Sequence, residues 1–390
     1  MIDIKKAEDC CGCGACAQVC PKSCISMIAD NEGFLYPHVN TSDCVQCGLC
    51  EEVCNILHPR EERAPLKVLA AINRDEKIRK QSSSGGIFHI LAEEVINKGG
   101  IVFGARFDEN WQVVIDWTDK QEGLQAFRGA KYVQSRTGDS FSKAEQFLGS
   151  GREVLFSGTH CQIAALRHYL GKDYPKLLTV DCVCHGVPSP LVWDRYLDET
   201  VPSGRKSIEA IEFRNKESGW LNYSFKLKSK KGRSIDEIYT ANPYMQAFLQ
   251  NLSLRPSCHE CRAKEGRSCA DITLGDFWGV DEKRLPGISH GTSLLLVNTP
   301  KGLQAIDFEH LLFDQARLEE AIPFNSGLKI SQPVHPHRER FFAQLSHTTS
   351  LTALIRKELK PPFKQRFRLF KYRLKLLFYK LFPKARSIKR

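Results

Sequence analysis

Cys10-x2-Cys13-x2-Cys16-x3-Cys20-Pro21 is a cysteine run that recurs further along this 390-residue chain as Cys44-x2-Cys47-x2-Cys50-x3-Cys54. A doubled run at this spacing is typical of a protein that holds two [4Fe–4S] clusters, in which the fourth cysteine of each run binds the other cluster. We therefore predict two sets of ligands. Cluster one takes Cys10, Cys13, Cys16 and Cys54, and cluster two takes Cys44, Cys47, Cys50 and Cys20.

A zinc ribbon or a disulfide knot is the alternative structure for so many cysteines. Zinc needs four ligands in closed pairs and has no use for a doubled run of four. The chain shows no charged segment followed by an apolar run at its start and no stretch near the ~20 apolar residues of a membrane span, so we expect a cytoplasmic protein without a signal peptide. Disulfides are rare in the cytoplasm, which favours metal as the partner of these cysteines.

The segment between the two runs, residues 25–37, is predicted to form a short hairpin with its turn at 30–33, Asp-Asn-Glu-Gly. The other two cysteines of this region, Cys11 and Cys24, lie outside the repeated spacing and are expected to pack as thiols. A polar connector with a proline at each end covers 58–65 and predicts a domain boundary near residue 62.

The rest of the chain predicts an α/β sheet, because helix-like and strand-like segments alternate along it. The helix-like segment is 87–96, where apolar residues recur at helical spacing. Several of the strand-like segments end in small or reactive residues, and strand ends in an open α/β sheet are where ligands bind. The strand-like segments are 67–72, 99–105, 113–117, 129–135, 154–159, 178–182 and 291–298.

Two features of this region favour a ligand-binding function. Residues 81–86, Gln-Ser-Ser-Ser-Gly-Gly, lead into the predicted helix, and a small-residue loop at a helix N-terminus offers N–H groups that suit phosphate. The alternative is that the serine there is no more than a helix N-cap.

Cys161 stands at the start of a second helix, a position expected to lower its pKa. The alternative is a buried thiol at a strand end.

The net charge of +11 comes from the C-terminal tail. Residues 356–390 hold fourteen Lys and Arg against one acidic residue, whereas the first 355 residues hold 42 basic and 44 acidic residues. A nearly neutral body argues against a nucleic-acid enzyme and favours a local electrostatic function for the tail.

Six motifs follow the doubled cysteine run in a specific order. They are Ser83-Ser84-Gly85-Gly86, Gly129-Ala130-Lys131-Tyr132-Val133, Gly158-Thr159-His160-Cys161-Gln162-Ile163, Cys184-His185-Gly186-Val187-Pro188-Ser189-Pro190, Phe213-Arg214-Asn215-Lys216 with Gly219-Trp220, and Ala270-Asp271-Ile272-Thr273-Leu274-Gly275-Asp276. In number and order these motifs resemble the coenzyme F420 hydrogenase/dehydrogenase beta-subunit family over residues 1 to about 340. His160 departs from the proline usual at that position.

The resemblance implies an FAD-containing α/β domain that exchanges electrons with iron–sulfur clusters. The loop before the first helix would present N–H groups to the FAD pyrophosphate, and Lys131 would add a compensating charge. Cys161 and Lys216 are the implied catalytic residues, and Arg214 joins Lys216 as a candidate for binding an anionic substrate; a solvated turn is the alternative for these two. The implied FAD-binding residues are Ser83, Ser84, Gly85, Gly86, Lys131, Tyr132, Thr159 and Gln162.

Cys258-x2-Cys261-x7-Cys269 supplies three further ligands and needs a fourth. Zinc would accept Cys184, Cys182 or His259 in that place, and a third [4Fe–4S] cluster would accept a cysteine. The resemblance favours a third cluster, with Cys184, Cys258, Cys261 and Cys269 as its ligands.

We thus predict a mixed α/β protein of three parts: a ferredoxin-type domain with two [4Fe–4S] clusters at 1–60, an FAD domain at 62–345 and a basic amphipathic tail at 355–390. The predicted function is an iron–sulfur flavoprotein oxidoreductase that passes electrons through FAD to or from a two-electron small molecule such as F420, because flavin converts between single electrons and pairs. A redox partner protein or ferredoxin-like donor is expected. The alternative is a non-catalytic electron-transfer subunit of a larger redox complex.

The tail is predicted to form an amphipathic helix that lies on an anionic membrane surface. Its apolar residues recur at steps of three and four with basic residues between them, and each basic residue near such a surface adds on the order of 1 kcal/mol. A helix that docks on the body or on an acidic protein is the alternative. The apolar residues are Phe363, Phe367, Phe370, Leu374, Leu377, Phe378 and Leu381.

Sedimentation with lipid vesicles tests the tail prediction. We expect the full chain to bind anionic vesicles at low salt and neutral vesicles only weakly, because basic and aromatic residues supply the attachment. A chain that lacks the tail should bind neither. Equal binding by the two chains would instead assign the tail to a protein contact.

Overall fold

A computed structural model gives the fold of residues 1–232 and 234–360. The strands are β1 Ile25–Ala29, β2 Leu35–Val39, β3 Lys67–Asn73, β4 Ile101–Phe107, β5 Val113–Thr118, β6 Val154–Thr159, β7 Leu177–Cys182, β8 Ile208–Asn215, β9 Ser224–Ser229, β10 Ile235–Ile238, β11 Ile272–Asp276, β12 Ser293–Val297 and β13 Leu311–Gln315. The α-helices are α1 Ala15–Val19, α2 Leu49–Glu52, α3 Glu76–Gln81, α4 Ile87–Asn97, α5 Leu124–Phe127, α6 Ser140–Gly149, α7 His160–Leu170, α8 Pro190–Thr200, α9 Pro243–Leu249, α10 Pro300–Gln304, α11 Leu318–Ala321, α12 Arg338–Leu345 and α13 Leu351–Glu358.

The N-terminal region contains the predicted hairpin. Strands β1 and β2 pair antiparallel, with Ala29 opposite Leu35. The Asp30 carboxylate closes the turn, since its Oδ1 accepts hydrogen bonds from the N–H groups of Glu32 at 3.0 Å and Phe34 at 2.8 Å. An acidic residue that bonds the backbone two and four residues on is a common way to hold a tight turn. The hairpin prediction is therefore confirmed.

Most of the chain is built on a mixed sheet whose strand order is β13-β3-β12-β11-β7-β6-β4-β5. The inner strands β4, β6, β7 and β11 run parallel to one another. Strand β5 flanks them antiparallel on one side, and β12, β3 and β13 follow antiparallel on the other. Five predicted strands correspond to β3 through β7, and a sixth corresponds to β12. A parallel centre with antiparallel edges confirms the mixed α/β class.

Residues 129–135 form no strand, so the prediction for this segment is wrong. Its backbone bonds reach loops instead of a neighbouring strand. The N–H group of Ala130 donates to the Ser83 hydroxyl at 2.6 Å, and that of Gln134 donates to the Pro188 carbonyl at 3.1 Å. Both partners lie in loops, Ser83 between α3 and α4 and Pro188 between β7 and α8. The segment therefore runs along the edge of the sheet.

Helices cover both faces of the main sheet. Successive residues of β4, Val102 and Phe103, point to opposite faces, as the period of two in a strand requires. Helix α4 packs through Ile87 on the side of Val102. Helices α6 and α7 pack through Phe141 and Ile163 on the side of Phe103. The sheet is thus buried between helical layers, which explains the apolar character of its central strands.

A second, antiparallel sheet of order β10-β9-β8 packs with α8, α9, α12 and α13 around an aromatic core. Trp193 of α8 is fully buried, with its ring centroid 5.1 Å from that of Phe213 and 5.0 Å from that of Tyr244. Phe34, from the N-terminal hairpin, is buried in the same core. The N-terminal region is therefore anchored in the larger domain by apolar packing.

Arg255 joins the same two parts through hydrogen bonds. Its side chain is 0% exposed, and it donates to the carbonyl oxygens of Cys10 at 2.8 Å and Leu35 at 2.9 Å and to the Gln134 side chain at 3.1 Å. Gly12 passes beside it with a φ of 70°, and a Cβ there would stand 2.7 Å from Arg255 Nη1. Only glycine tolerates both that backbone conformation and that approach.

From residue 361 onward, the predicted amphipathic tail lies outside the residues that the structure describes. The described chain ends in α13, whose Leu351, Leu354 and Ile355 are buried in the aromatic core, so a chain shortened to test the tail has to retain residues up to 360. Within residues 1–232 and 234–360, no helix combines the length and the apolar character that crossing a bilayer requires.

We expect Arg255→Ala to lower the free energy of unfolding by at least about 3 kcal/mol, because each hydrogen bond from a charged donor contributes about 1.5–3 kcal/mol. Denaturant unfolding of anaerobically purified protein measures this loss, and limited proteolysis of the connector at 58–65 reports release of the N-terminal region. Arg284→Ala is the control, since Arg284 is partly exposed and its ion pairs with Asp314 and Glu320 contribute about 0–1 kcal/mol. An equal loss in both variants would contradict the role of Arg255.

Candidate iron–sulfur centres and cofactor cleft

The four cysteines predicted for cluster two line one cavity of the N-terminal region. Cys20, from the first run, faces it together with Cys44, Cys47 and Cys50 from the second run. The N–H group of Ile2 donates to Cys50 Sγ at 3.2 Å, as backbone donors do around iron–sulfur thiolates. The arrangement fits a cluster whose fourth ligand crosses from the other run, and the individual ligands stay predictions.

The cysteines predicted for cluster one also lie near one another. Burial raises the pKa of Cys16 to about 12, and the thiols of Cys10 and Cys54 add to the effect. The N–H group of Gly12 donates to Cys10 Sγ at 3.4 Å, and Cys13 Sγ lies 3.9 Å from the Asn55 amide oxygen. This grouping of cysteine side chains fits an iron–sulfur cluster, in which bound iron would hold the thiols in the thiolate form.

A cleft of about 520 Å³ opens at the carboxyl ends of β6, β7 and β11. This end of a parallel sheet is where α/β proteins place their ligands. Its walls also include the start of α4, the segment 128–133 and parts of β8 and α9. The predicted FAD-binding residues that line it are Ser83, Ser84, Gly86, Lys131, Tyr132, Thr159 and Gln162.

The loop before α4 presents a helix N-terminus to this cleft. Gly86 caps the helix at a φ of 83° and has no side chain to bond the first turn, so the N–H groups there remain available. Ser84 Oγ donates to the Thr292 carbonyl at 2.8 Å. Gly85 faces away from the cleft, because its N–H group donates to Ser293 Oγ at 2.9 Å and a Cβ on it would stand 2.7 Å from Ser293 N. Gly85 thus fixes the loop onto β12.

Lys131 and Tyr132 lie beside this loop, held there by the bond between Ala130 and Ser83. Lys131 Nζ donates to the Arg128 carbonyl at 2.9 Å, and desolvation lowers the pKa of Lys131 to about 7. An anion bound nearby would favour the protonated form, so that anion binding and proton uptake are linked at this residue. The Tyr132 ring stacks on Phe248 with centroids 4.5 Å apart and forms an aromatic wall.

Thr159 and Gln162 are fixed by a capping box at the start of α7. The Thr159 N–H group donates to Gln162 Oε1 at 3.0 Å, and the Thr159 side chain caps the first turn of the helix. Gln162 Nε2 donates in turn to Ser135 Oγ at 2.8 Å. The two side chains therefore hold a defined orientation at the cleft.

Cys161 lies beside the cleft, and its thiol meets that of Cys11 from the N-terminal region. Hydrogen bonding with Cys11, together with desolvation, raises the pKa of Cys161 well above its usual value. The predicted lowering of this pKa is wrong, because these two effects outweigh the helix N-terminus. The catalytic role of Cys161 stays a prediction.

The Cys161 thiol also groups with cysteines of the third predicted metal site. Burial raises the pKa of Cys258 to about 12, and the thiols of Cys161 and Cys261 add to the effect. Burial and the thiols of Cys182, Cys258 and Cys161 likewise raise the pKa of Cys184. Cys269 precedes β11 with a φ of 55°. The structure therefore brings Cys161 to the site at which Cys184, Cys258 and Cys261 were expected.

A single metal ion and an iron–sulfur cubane require different distances between the sulfur atoms of their cysteine ligands. In the described part of the chain, no three His, Cys, Asp or Glu side chains converge as the ligands of one ion do. In a cubane each thiolate binds a different iron, so the sulfur atoms stand farther apart than around one ion.

Arg214 and Lys216 are withdrawn from solvent, so the alternative of a solvated turn is wrong for them. Arg214 is 9% exposed, lines the cleft and forms an ion pair with Asp276. Lys216 Nζ donates to the carbonyl oxygens of Arg79 at 2.7 Å and Ser84 at 3.1 Å, and burial lowers its pKa to about 7. Lys216 thus lies behind the loop that precedes α4, and its catalytic role stays a prediction.

Asp276, Trp278 and Phe248 are among the cleft residues that sequence reasoning missed. Asp276 ends the last of the six sequence motifs, and its place in that motif was the available signal. No comparable signal marks Phe248, because an aromatic residue in a helix is usually part of a core.

The fold and these sites define an iron–sulfur electron-transfer protein. A region with a doubled cysteine run is docked on a mixed α/β domain with an open cleft at its strand ends.

Two family models support this class. Residues 9–56 match the model of the 4Fe-4S dicluster domain, and residues 151–311 match that of the C terminus of the coenzyme F420 hydrogenase/dehydrogenase beta subunit. No curated protein matches the chain. Among solved structures, the chain is similar to one from the xenon-derivatized F420-reducing [NiFe] hydrogenase complex of Methanosarcina barkeri, with 18% identity, a TM-score of 0.49 and coverage of 74% of this chain and 95% of that chain.

The chain therefore carries, at residues 151–311, the C-terminal domain of the coenzyme F420 hydrogenase/dehydrogenase beta subunit. This domain stands behind a dicluster domain for two [4Fe–4S] clusters at residues 9–56. The resemblance recognised in the sequence motifs is confirmed.

Proposed function

We propose that this chain binds FAD in the cleft and transfers electrons between its [4Fe–4S] clusters and a small-molecule substrate. The observation that carries the proposal is that one cleft collects a helix N-terminus, a lysine of lowered pKa, an aromatic wall and two fixed polar side chains from separate segments. When bound, FAD supplies the conversion between single-electron and two-electron transfer.

The cleft residues provide distinct contacts for such a cofactor. Ser83 and the first-turn N–H groups of α4 would hold the pyrophosphate, because a helix N-terminus favours negative charge. Lys131, beside this loop, would add a positive charge once an anion is bound. Thr159 and Gln162, at the end of β6, would contact the flavin ring. Together these contacts would orient the cofactor from its phosphates to its ring.

A non-catalytic electron-transfer subunit remains a second candidate, and the surface beside cluster two favours it. Cys47 is exposed, and the neighbouring apolar side chains of Val45 and Leu49 are 57% and 36% exposed. An apolar rim around an exposed cluster ligand suits contact with a redox partner protein. In the enzyme that we propose, the same surface would receive an electron donor. The cytoplasmic location and an F420-like substrate stay predictions.

Gly85→Val tests the flavin proposal. We expect loss of most bound FAD and retention of the about eight irons of the dicluster domain, because the new side chain meets the backbone of β12 and displaces the loop before α4. Gly149→Val is the control, since a Cβ at Gly149 meets open space. Flavin and iron analysis of the purified proteins measures the outcome, and unchanged flavin in Gly85→Val would contradict the placement.

Turnover separates the two candidate functions. Reduced methyl viologen serves as a one-electron donor, and F420 or a nicotinamide serves as the two-electron acceptor. We expect acceptor reduction by the wild-type chain and by Gly149→Val but not by Gly85→Val. A flavin-loaded wild-type chain that reduces none of these acceptors would support the non-catalytic alternative.

We also propose a third [4Fe–4S] cluster, held by Cys161, Cys184, Cys258 and Cys261. The mutual effect of these thiols on their pKa values supports this set. It replaces Cys269 of the sequence prediction by Cys161. A cluster at this position would lie between the N-terminal region, which Cys161 touches through Cys11, and the cleft.

Two cysteine variants distinguish the ligand sets. We expect the wild-type chain to contain about twelve irons, Cys261→Ser to lose about four of them and Cys269→Ser to lose none. Iron and zinc analysis of anaerobically purified proteins provides the measurement. One zinc per chain that disappears in Cys261→Ser would overturn the third cluster, and equal iron loss in both variants would restore Cys269 as a ligand.

A further inference from the structure

Arg214 carries unpaired hydrogen-bond donors within the cleft. It lies on β8 and is 9% exposed, and its Nη1 donates to the Asp276 carboxylate. Its Nε and Nη2 atoms are buried and have no hydrogen-bond partner in the described chain. Buried donors are normally satisfied, so two orphaned donors on one side chain point to an absent acceptor.

The two free donors form one edge of the guanidinium group. The N–H bonds of Nε and Nη2 run side by side, and this parallel pair is the fork with which arginine binds phosphate or carboxylate through two hydrogen bonds. Asp276 occupies only Nη1, at the other end of the group. The edge suited to an oxyanion is therefore the one left without a hydrogen-bond partner among the described residues.

Aromatic rings keep the guanidinium group from turning to another partner. Its central carbon lies 4.8 Å from the Tyr223 ring centroid and 5.3 Å from that of Trp278. Trp278 is itself stacked on Trp220 at 4.3 Å, and the Trp220 indole N–H donates to Asp276 Oδ1 at 3.3 Å. The orientation of Arg214 is thus fixed before any ligand arrives.

Two contacts place Arg214 beside the loop that precedes α4. Ser84 Oγ lies 3.5 Å from the carbonyl oxygen of Gly275, the residue before Asp276. Lys216, two residues after Arg214 on the chain, donates to the Ser84 carbonyl at 3.1 Å. The open edge of Arg214 and the N-terminus of α4 therefore belong to the same corner of the cleft, and each favours an anion independently.

We propose that the Nε/Nη2 edge of Arg214 and the N-terminus of α4 together bind one phosphate group. This inference rests on the proposed function. It assigns Arg214 to a phosphate group, whereas the sequence predicted only an anionic substrate. Two sources supply such a phosphate: the pyrophosphate of FAD and a phosphate ester on the small-molecule substrate. Asp276 balances the charge of Arg214, so the site selects by the geometry of two parallel hydrogen bonds as well as by charge.

Flavin affinities test the proposal in the full chain with its clusters present and its flavin removed. Riboflavin lacks phosphate, so the ratio of its Kd to that of FAD reports the phosphate contacts. Arg214→Lys keeps a cation for Asp276 but loses the fork. We expect it to weaken FAD binding about tenfold and to leave the Kd of riboflavin within about twofold of wild type. Arg284→Lys, outside the cleft, should change neither.

A kinetic arm distinguishes the two sources of phosphate. If the substrate supplies it, Arg214→Lys leaves the Kd of FAD unchanged and raises the KM for F420, which bears a phosphate ester, without raising that for a quinone acceptor. Equal weakening of FAD and riboflavin, or no change in any of these constants, would overturn the inference. A wild-type chain that binds no flavin would overturn the proposed function and, with it, this inference. The neutral pair Arg214→Gln with Asp276→Asn repeats the test should Arg214→Lys fold poorly.

Discussion

The buried guanidinium group of Arg255 is the interaction on which the arrangement of the two parts depends. Taking a charge out of water is costly unless hydrogen bonds replace its hydration. Arg255 meets this demand with two backbone carbonyls of the N-terminal region and one side chain of the larger domain, and the Tyr36 ring lies 4.3 Å from it. Since the carbonyl of Cys10 is among its acceptors, the contact fixes the first cysteine run directly against the α/β domain.

This docking brings together cysteines that are far apart in the sequence. Cys11, beside the first predicted ligand, meets Cys161 at the start of α7, and Cys161 in turn lies near Cys258. Further contacts secure the same junction: Thr137 Oγ1 donates to the Cys13 carbonyl at 2.7 Å, and the Arg262 side chain donates to the Ile56 carbonyl at 2.9 Å. Cysteine side chains of the dicluster domain and of the larger domain thus approach one another at this junction.

The cleft follows from the mixed sheet. The cleft opens where the neighbouring strands β6, β7 and β11 end, and loops form its borders. The segment 129–135 closes one border through bonds to Ser83 and Pro188, and Lys216 braces another through the Ser84 carbonyl. Lys216, which was predicted to be catalytic, therefore helps to hold the loop whose N–H groups face the cleft.

The sequence by itself determined the two clusters, because a cubane needs thiolates at intervals that one short stretch of chain supplies. It also predicted the hairpin, α4 and the strands from β3 to β7, since apolar periodicity is a local property. Only the tertiary structure decided that 129–135 borders a cleft, that Cys161 meets Cys11 and Cys258, and that Arg214 keeps an open edge. All three depend on which distant residues meet: the backbone partners of a segment, the pKa of a thiol and the unpaired donors of a buried arginine. Spacing along the chain does not contain that information.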